Sequence, residues 1–211
     1  MDEQVIAAMA RWPDVPDVYG WLSLSERGEW RLHPQGDALL PQHCAPGACC
    51  SPGEAISSTT ILQFMNRNYA VDDAGQWYFQ NGPQRVYVRL DAAPYILHTV
   101  NEGSEHRLRS HTSHDIASIS GWWLDDDGKL YAQTNIGPGL VAGRDLPTLL
   151  AELILTDGTP LLDALEHELG DQQLIHWGRQ NPAAALSFCS ASSIEDRLGF
   201  VRCPALSRIT P

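Results

Sequence analysis

The sequence predicts an α+β fold that is rich in short β-hairpins. Three segments share one pattern, in which an aromatic strand is followed by a polar turn ending in glycine and by a return strand; they span residues 20–32, 69–79 and 122–132. Glycine supplies the positive φ that such turns need, and large alternating residues on both arms bury one face of each hairpin. Apolar residues at helical spacing between the hairpins predict several helices. Because hairpins are built alike in general, their recurrence does not by itself indicate duplication.

The first half of the chain contains two predicted helices and one further strand. Residues 1–12 place their apolar side chains on one helical face, and Pro13 ends that helix. Residues 34–52 are rich in proline, glycine and cysteine, which indicates a loop. A serine or threonine at 57–59 would cap the second helix, whose apolar face follows directly. Residues 85–90 alternate between apolar and polar side chains and predict a strand.

The second half contains a further set of short elements. Three segments predict strands, at residues 95–100, 130–135 and 139–142. The polar residues 101–115 fit either a long hairpin tip or a loop. Residues 146–155 fit a helix and a strand equally, whereas leucines at helical spacing predict a helix over 160–169. The chain from residue 172 onward carries enough large apolar residues that we expect it to pack on the body of the protein.

Composition and charge exclude two classes of partner. The 211 residues carry a net charge of −12, and Lys129 is the single lysine. Such a surface repels phosphate backbones and anionic lipids, so neither nucleic acid nor a membrane is expected as a partner. The first ten residues lack the basic start and apolar run of a secretory signal. A cytoplasmic location is therefore expected, with the five cysteines present as thiols.

Several short motifs resemble an uncharacterised proteobacterial family. They lie at residues 9–13, 18–22 and 66–69, and the most specific is Trp-Tyr-Phe-Gln-Asn-Gly-Pro-Gln-Arg-Val-Tyr-Val at 77–88. The resemblance covers roughly the first hundred residues. It implies a bacterial source and a domain of unknown function, and it implies no activity.

A second order of motifs extends further along the chain. A Gly-x-Trp hairpin at 75–77, Pro83 and an Asp-x-x-Pro-aromatic motif at 91–95 are followed by residues 134–137 and a leucine-rich helix at 161–169. This order resembles another bacterial family of unknown function, built from a small α+β domain and a β-barrel-like domain. The resemblance implies a hairpin-rich small α+β domain at 1–80, a β-barrel-like domain with flanking helices at 81–175, and a C-terminal segment at 176–211 packed on the body. It supports a fold and no function.

The loop at 34–52 contains a candidate metal site. His43, Cys44, Cys49 and Cys50 carry the imidazole and thiolate groups that bind zinc. Their spacing departs from the paired Cys-x-x-Cys pattern of common zinc sites, and adjacent cysteines rarely bind one metal. The alternative is a loop with exposed thiols, or a disulfide that forms on oxidation. The spacing favours this alternative over zinc.

A second cluster of titratable residues comprises His106, His111, His114 and Asp115. Imidazole and carboxylate groups together can bind a metal or transfer protons. The surrounding segment is polar, and it lacks the His-Glu-x-x-His helix of the zinc proteases. Solvated histidines in a loop are therefore the favoured interpretation.

Six side chains that flank the predicted hairpins form a candidate ligand site. They are Asn68, Tyr69, Gln80, Asn81, Arg85 and Tyr87. If they converge in a groove, they could hold a carboxylate or amide ligand, with Arg85 supplying a bidentate contact. The alternative is structural: Asn81 begins a turn with the following glycine, and Arg85 pairs with an acid such as Asp91 on the sheet surface.

These observations favour a non-enzymatic binding or regulatory module whose partner is an unknown small molecule or protein. The sequence has no nucleophile elbow, no phosphate-binding loop and no dinucleotide fingerprint. No cofactor is expected under this hypothesis. The alternative hypothesis is a zinc-binding protein, including a hydrolase, that uses the cysteines and histidine at 43–50.

Overall fold

The computed structural model describes residues 1–44, 52–102, 105–167, 172–177 and 182–205. The chain divides into two compact units, of which the first consists of Met1–Ala93 and Gly199–Pro211 and the second of Pro94–Leu198. The described part contains 14 strands and a few helices, so the predicted α+β class is confirmed.

Short elements connected by tight turns make up both units. In the first unit they are α1 (Glu3–Arg11), β1 (Val18–Leu24), β2 (Trp30–Leu32), α2 (Pro41–Cys44), β3 (Glu54–Ala55), α3 (Thr59–Arg67), β4 (Tyr69–Val71), β5 (Trp77–Asn81) and β6 (Gln84–Leu90). In the second unit they are β7 (Tyr95–Glu102), β8 (Glu105–Ser110), β9 (Ile119–Asp125), β10 (Leu130–Thr134), β11 (Gly137–Val141), α4 (Leu146–Glu152), β12 (Leu153–Leu155), α5 (Leu161–Leu165), β13 (Gln172–Trp177), β14 (Ala184–Cys189) and α6 (Ile194–Leu198).

Strand β6 lies inside the six-stranded sheet of the first unit, whose order is β3-β2-β1-β6-β5-β4. It pairs in parallel with β1 and antiparallel with β5. The predicted hairpins at 20–32 and 69–79 are the β1–β2 and β4–β5 pairs. Gly28 and Gly75 stand in their turns at φ values of 81° and 76°, a region that glycine enters without the steric penalty of a side chain.

The boundary between the units differs from the expected one at 80/81. Strands β5 and β6 form a hairpin across that position, with Gln80 paired to Arg85, so a division there would cut one sheet in two. The first unit instead extends to Ala93. The C-terminal segment from residue 176, expected to pack on the body, is divided between the units: β14 pairs with β9 within the second unit, and the chain from Gly199 returns to the first.

The returning segment is fixed within the first unit by a backbone hydrogen bond and a disulfide. The N–H of Leu90 donates to the carbonyl of Arg202 at 2.8 Å. Cys203 is bonded to Cys44, which precedes it by 159 residues. The expectation that all five cysteines are thiols is therefore wrong for these two. Disulfides persist mainly in oxidising compartments, and the cytoplasmic location stays a prediction.

The second unit is built on a curled, eight-stranded half-barrel sheet in the order β12-β13-β14-β9-β10-β11-β7-β8. The third predicted hairpin, at 122–132, is the β9–β10 pair. The core of the second unit contains Trp122, Leu130, Tyr131 and Leu186, each with at most 1% of its surface exposed. The β-barrel-like expectation for this part of the chain is therefore confirmed, with helices α4 to α6 in the same unit.

The structure decides the secondary structure of two segments for which the sequence left alternatives open. Most of residues 101–115 belongs to the β7–β8 hairpin, the first of the two alternatives. Residues 146–155 contain both predicted structures in succession, helix α4 and then strand β12. Across the described ranges, the structure has no helix that is long and apolar enough to cross a membrane.

We expect the double substitution Cys44→Ser/Cys203→Ser to lower the free energy of unfolding by about 4 kcal/mol, because it releases a closed loop of more than a hundred residues in the unfolded chain. Urea denaturation of the oxidised protein measures this loss. Cys189→Ser, which removes the free cysteine of the described residues, is the control and should change stability much less.

The bond itself is checked by counting thiols in the denatured, unreduced protein. Five cysteines less the two in the bond leave at most three thiols. Five reactive thiols, together with unchanged stability of the double variant, would show that the bond does not form.

Candidate functional site

An open cavity of about 740 Å³ lies on one face of the first sheet, beside α3. Its walls come from strands β1, β2, β3, β5 and β6, from α3 and from the segment that precedes this helix. The residues that line it are Val18, Trp21, Leu22, Leu32, Glu54, Ala55, Ile56, Ser57, Ser58, Ile61, Met65, Phe79, Asn81, Gln84 and Val86. Most of these side chains are apolar.

Strand alternation creates the apolar wall of the cavity. Leu22 of β1 is paired with Leu32 of β2, and on the other side with Val88 of β6. Phe79 of β5 is paired with Val86 of β6. Because directly paired residues share a face of a sheet, these side chains form one continuous apolar surface.

Helix α3 covers only part of that surface. Phe64 packs edge-on against Phe79, with 5.6 Å between ring centroids, and Met65 is buried. Nine residues form a helix about 14 Å long, whereas six strands span about 24 Å across a sheet. The apolar face is therefore wider than the helix that packs on it, and the uncovered part forms the cavity.

Three large apolar side chains at the cavity remain exposed to solvent. Trp21 is 45% exposed, Ile61 50% and Leu32 37%. Full burial of such a side chain contributes roughly 1.5–3 kcal/mol relative to leaving it in water. Single exposed apolar residues are ordinary, but a group of them around a concave surface is typical of a binding site.

A bulge in β1 explains why Trp21 and Leu22, which are adjacent, both line the cavity. The pairing of β1 with β6 shifts register between Val18 and Leu22. Gly20 lies in the bulge at φ 84°, and a Cβ atom there would overlap the carbonyl oxygen of Gly36. Only glycine fits this close approach, and the bulge brings two neighbouring side chains to the same side.

Polar groups at the cavity are few and mostly neutral. Glu54, an exposed residue of β3, is the one residue with an ionisable side chain in the described part of the cavity wall. Asn81, Gln84 and the two serines before α3 supply amide and hydroxyl groups. The Gln84 amide donates to the carbonyl of Pro16 at 3.1 Å, which holds that side chain in place.

The six residues predicted to bind a ligand do not converge on one site. Asn81 alone among them lines the cavity. Gln80, Arg85 and Tyr87 alternate with cavity-side residues along β5 and β6, so they lie on the opposite face of the sheet.

Asn68 and Tyr69 have structural contacts. Asn68 is buried, its amide donates to the carbonyl of Phe64 at 2.9 Å, and its side-chain oxygen accepts the N–H of Asp2 at 2.8 Å. The ring of Tyr69 packs against that of Trp77, with centroids 4.9 Å apart. The contacts of Asn68 join the start of α1 to the end of α3, and the contact of Tyr69 joins β4 to β5.

Arg85 and Tyr87 belong to an aromatic cluster on the opposite face. The guanidinium of Arg85 lies 4.8 Å from the ring centroid of Tyr78. Tyr87 stacks on Tyr19 at 4.5 Å, and its hydroxyl donates to the carboxylate of Asp72 at 3.0 Å. Burial raises the pKa of Tyr87 far above its usual range, so the phenol stays protonated and continues to donate.

Of the four predicted zinc ligands, His43 and Cys44 fall within the described residues. The sulfur of Cys44 is bonded to Cys203, and a disulfide sulfur is not the thiolate that zinc binds. His43 precedes it in α2, and Cys49 and Cys50 lie outside the described residues. Within the described ranges, no three His, Cys, Asp or Glu side chains are placed to hold a metal ion.

His111 of the second cluster has a buried ring edge. The residue as a whole is half-buried, but its Nε2 atom is inaccessible to solvent, and its Nδ1 atom accepts the N–H of Ile96 at 3.2 Å. Burial, with smaller contributions from His98 and His114, lowers the pKa of His111 to about 3. The imidazole is therefore neutral at physiological pH.

The other members of this cluster have separate contacts. His114 Nδ1 lies 2.9 Å from the hydroxyl of Thr112, and Asp115 accepts from Arg109 at 2.6 Å. The side chain of His106 lies outside the described part. The sequence favoured solvated histidines in a loop. This expectation is wrong for His111, because its Nε2 atom is inaccessible to solvent and its Nδ1 atom accepts a backbone hydrogen bond.

Sequence reasoning missed a buried network of Ser23, His33 and Asp37. Ser23 Oγ lies 2.8 Å from His33 Nε2, and His33 Nδ1 lies 3.4 Å from Asp37 Oδ1. This order is that of a nucleophile, a base and an orienting carboxylate. The contact with Asp37 is not aligned as a hydrogen bond, and Nδ1 has no hydrogen-bond partner among the described groups. Burial, and next the charge of Arg89, lowers the pKa of His33.

The network is closed to a substrate. Ser23 and His33 are at most 1% exposed. Gly53, at φ 61°, lies so close to the imidazole that a Cβ atom would stand 2.8 Å from Nε2. The signal in the sequence was a polar residue at a buried, alternating position of a strand, Ser23, with a histidine just after the paired strand.

Arg89 provides the charge beside this network. It is 1% exposed, and it donates to the carboxylate of Asp91 at 3.1 Å and to the carbonyl of Ala38 at 2.8 Å. Asp91, expected as a partner of Arg85, thus pairs with Arg89. The contacts hold the loop after β2 against the sheet, which is a structural role.

Alanine substitution of two glycines with nearly equal φ, Gly53 and Gly82, tests how closely the chain packs around the His33 ring. Gly82→Ala, at φ 60° with no atom within 4 Å of the new Cβ, should lower the free energy of unfolding by about 1 kcal/mol through backbone strain alone. Gly53→Ala should lower it by about 3 kcal/mol, because the methyl group also meets His33 and the Leu32 carbonyl. Urea denaturation measures both. Equal losses would mean that the imidazole has room to move.

Comparison with known proteins gives one family and two remote structural likenesses. The family described as "Protein of unknown function (DUF2946)", DUF2944, matches residues 1–205. No curated protein matches the chain. A DUF1285 family protein from Silicibacter pomeroyi DSS-3 is 12% identical with a TM-score of 0.46 over 92% of this chain and 99% of that chain. A second, from Shewanella baltica OS155, is 11% identical with a TM-score of 0.39 over 59% of this chain and 86% of that chain.

These likenesses are too remote to carry a conclusion about a site. The expectation of an uncharacterised family is confirmed, whereas the specific motif at 77–88 and the bacterial source stay predictions. Because the family match spans nearly all of the sequence, the chain belongs to DUF2944, a family of proteins of unknown function.

Proposed function

We propose that the protein is a non-enzymatic module that binds a small, largely apolar molecule in the cavity of the first unit. One observation carries the proposal: a cavity of about 740 Å³ has apolar walls and exposed Trp21, Ile61 and Leu32 side chains. Cavities of about 300–1,000 Å³ are typical of small-molecule sites. The volume therefore suits a compound of drug-like or lipid-like size.

The chemistry of the walls supports binding more directly than catalysis. Of the lining residues that the structure describes, Glu54 is the one with an ionisable side chain, and no described histidine, cysteine or second carboxylate lines the cavity with it. A nucleophile with its base, or a pair of carboxylates, is what most hydrolytic mechanisms need. Asn81, Gln84 and the serines before α3 provide hydrogen bonds that could orient a bound molecule.

The alternative function, a zinc protein, has no specific observation in its favour. Its candidate ligand Cys44 is in a disulfide, and the rest of its thiol set lies outside the described residues. A small molecule is also favoured over a protein as the partner, because the exposed side chains of Trp21, Leu32 and Ile61 lie around a concave apolar surface.

We expect the neutral fluorophore N-phenylnaphthylamine to bind the protein with enhanced fluorescence, and Ile61→Asn to weaken its binding about fivefold. The substitution replaces an apolar wall by an amide, and fivefold corresponds to about 1 kcal/mol. A fluorescence titration measures the Kd of each protein.

Ile6→Asn is the matched control. Ile6 is 53% exposed and Ile61 50%, both lie near the N-terminal end of a nine-residue helix, and Ile6 does not line the cavity. Its substitution should leave the Kd unchanged. If both variants weaken binding alike, or if the folded protein does not bind the fluorophore, the cavity is not the site.

A further inference from the structure

Charge at the cavity is one-sided. Among the described residues, those that line it include Glu54 and no lysine, arginine or histidine. An anionic head group would therefore leave water without gaining a cationic partner in the described wall, whereas a cationic one would gain a carboxylate. The net charge of −12 acts in the same direction over a longer range, because it attracts cations and repels anions.

The carboxylate stands at the outer rim of the apolar wall. Glu54 is paired with Leu32 across β3 and β2, and Leu32 is paired with Leu22 across β2 and β1. Directly paired side chains are neighbours on one face, so the three form a row that leads from an exposed acid to a buried leucine. An elongated molecule along this row would place one polar end at Glu54 and its apolar body over the leucines.

An aromatic side chain lies beside this row. Trp21 precedes Leu22 in β1, lines the cavity and is 45% exposed, so its indole is available to a bound molecule. Tryptophan is the aromatic residue that attracts cations most strongly, and sites for quaternary ammonium groups combine aromatic rings with acids. Trp21 and Glu54 therefore favour the same kind of ligand.

We propose that the ligand of the cavity is an amphiphile with an apolar body and a cationic head, such as an alkylammonium or a protonated amine, and that Glu54 selects the head. The proposal rests on the function proposed above and specifies its ligand class. An exposed carboxylate contributes a modest electrostatic attraction, about threefold in the preference for the cation over the anion, so the selectivity is graded rather than absolute.

The test uses three ligands with one tail and different heads: decyltrimethylammonium, decanol and decanoate. Each displaces N-phenylnaphthylamine from the full-length protein below its micelle concentration, at neutral pH and low salt. We expect decyltrimethylammonium to bind about fivefold more tightly than decanoate, with decanol between them, and the difference to shrink at high salt.

Glu54→Gln separates the local carboxylate from the overall charge. It should reduce the preference for the cation over the anion about threefold and leave decanol unchanged. Glu3→Gln is the control, since it alters the net charge by the same amount on α1, away from the cavity. Glu54 is exposed, so its substitution is not expected to disturb folding.

The outcomes distinguish the two proposals. If the three heads bind equally, or if Glu3→Gln acts as strongly as Glu54→Gln, the selection by Glu54 is wrong while binding in the cavity stands. Tighter binding of decanoate than of decyltrimethylammonium would likewise contradict selection by Glu54 and leave binding in the cavity standing. If neither the fluorophore nor any of the three amphiphiles binds, the function proposed for the cavity fails, and the ligand class fails with it.

Discussion

One short helix packs on one face of a six-stranded sheet, and the form of the first unit depends on this difference in size. Helix α3 is anchored on β5 through Phe64 and Phe79, and it buries Met65. The sheet is wider than this helix, and strand alternation keeps the uncovered residues apolar. A concave apolar surface is the physical consequence. Trp21 of β1 and Ile61 of α3 itself remain exposed there.

The opposite face of the same sheet is closed by different means. Polar side chains at strand positions, such as Ser23 and Arg89, bind the loop after β2 and are themselves buried. Buried charges and hydroxyls need such partners, so these contacts also fix where the loop lies. The disulfide of Cys44 and Cys203 then attaches the returning chain near this loop. Part of this face is thus packed against a loop of the chain, whereas the cavity lies on the other face.

The fold was predictable where structure is local. Each hairpin is specified by a turn glycine and by alternation within about a dozen residues, and all three predicted hairpins form. The domain boundary was not predictable, because the parallel pairing of β1 with β6 joins residues more than sixty positions apart. The Cys44–Cys203 bond joins still more distant residues. Sequence patterns of period two or 3.6 carry no information about such pairings.

The candidate site was missed for a related reason. The predicted site was chosen from polar residues, including Gln80, Arg85 and Tyr87. Strand alternation places these three side chains on the face of the sheet opposite the cavity, and Asn81 alone of the six predicted residues lines the cavity. The residues that form the site are mostly apolar, and sequence patterns assign such residues to the core. Their exposure depends on how far α3 extends over the sheet, and that is a property of tertiary packing.

We propose the apolar cavity beside α3 as a binding site, and a methyl NMR titration of the full-length protein with N-phenylnaphthylamine tests this proposal. We expect saturable changes in the chemical shifts of the methyl groups of Leu22, Leu32, Ile61 and Val86, and unchanged chemical shifts for Leu140 and Ile175 in the second unit. Shifts confined to the second unit, or no shifts at all in the folded protein, would contradict it.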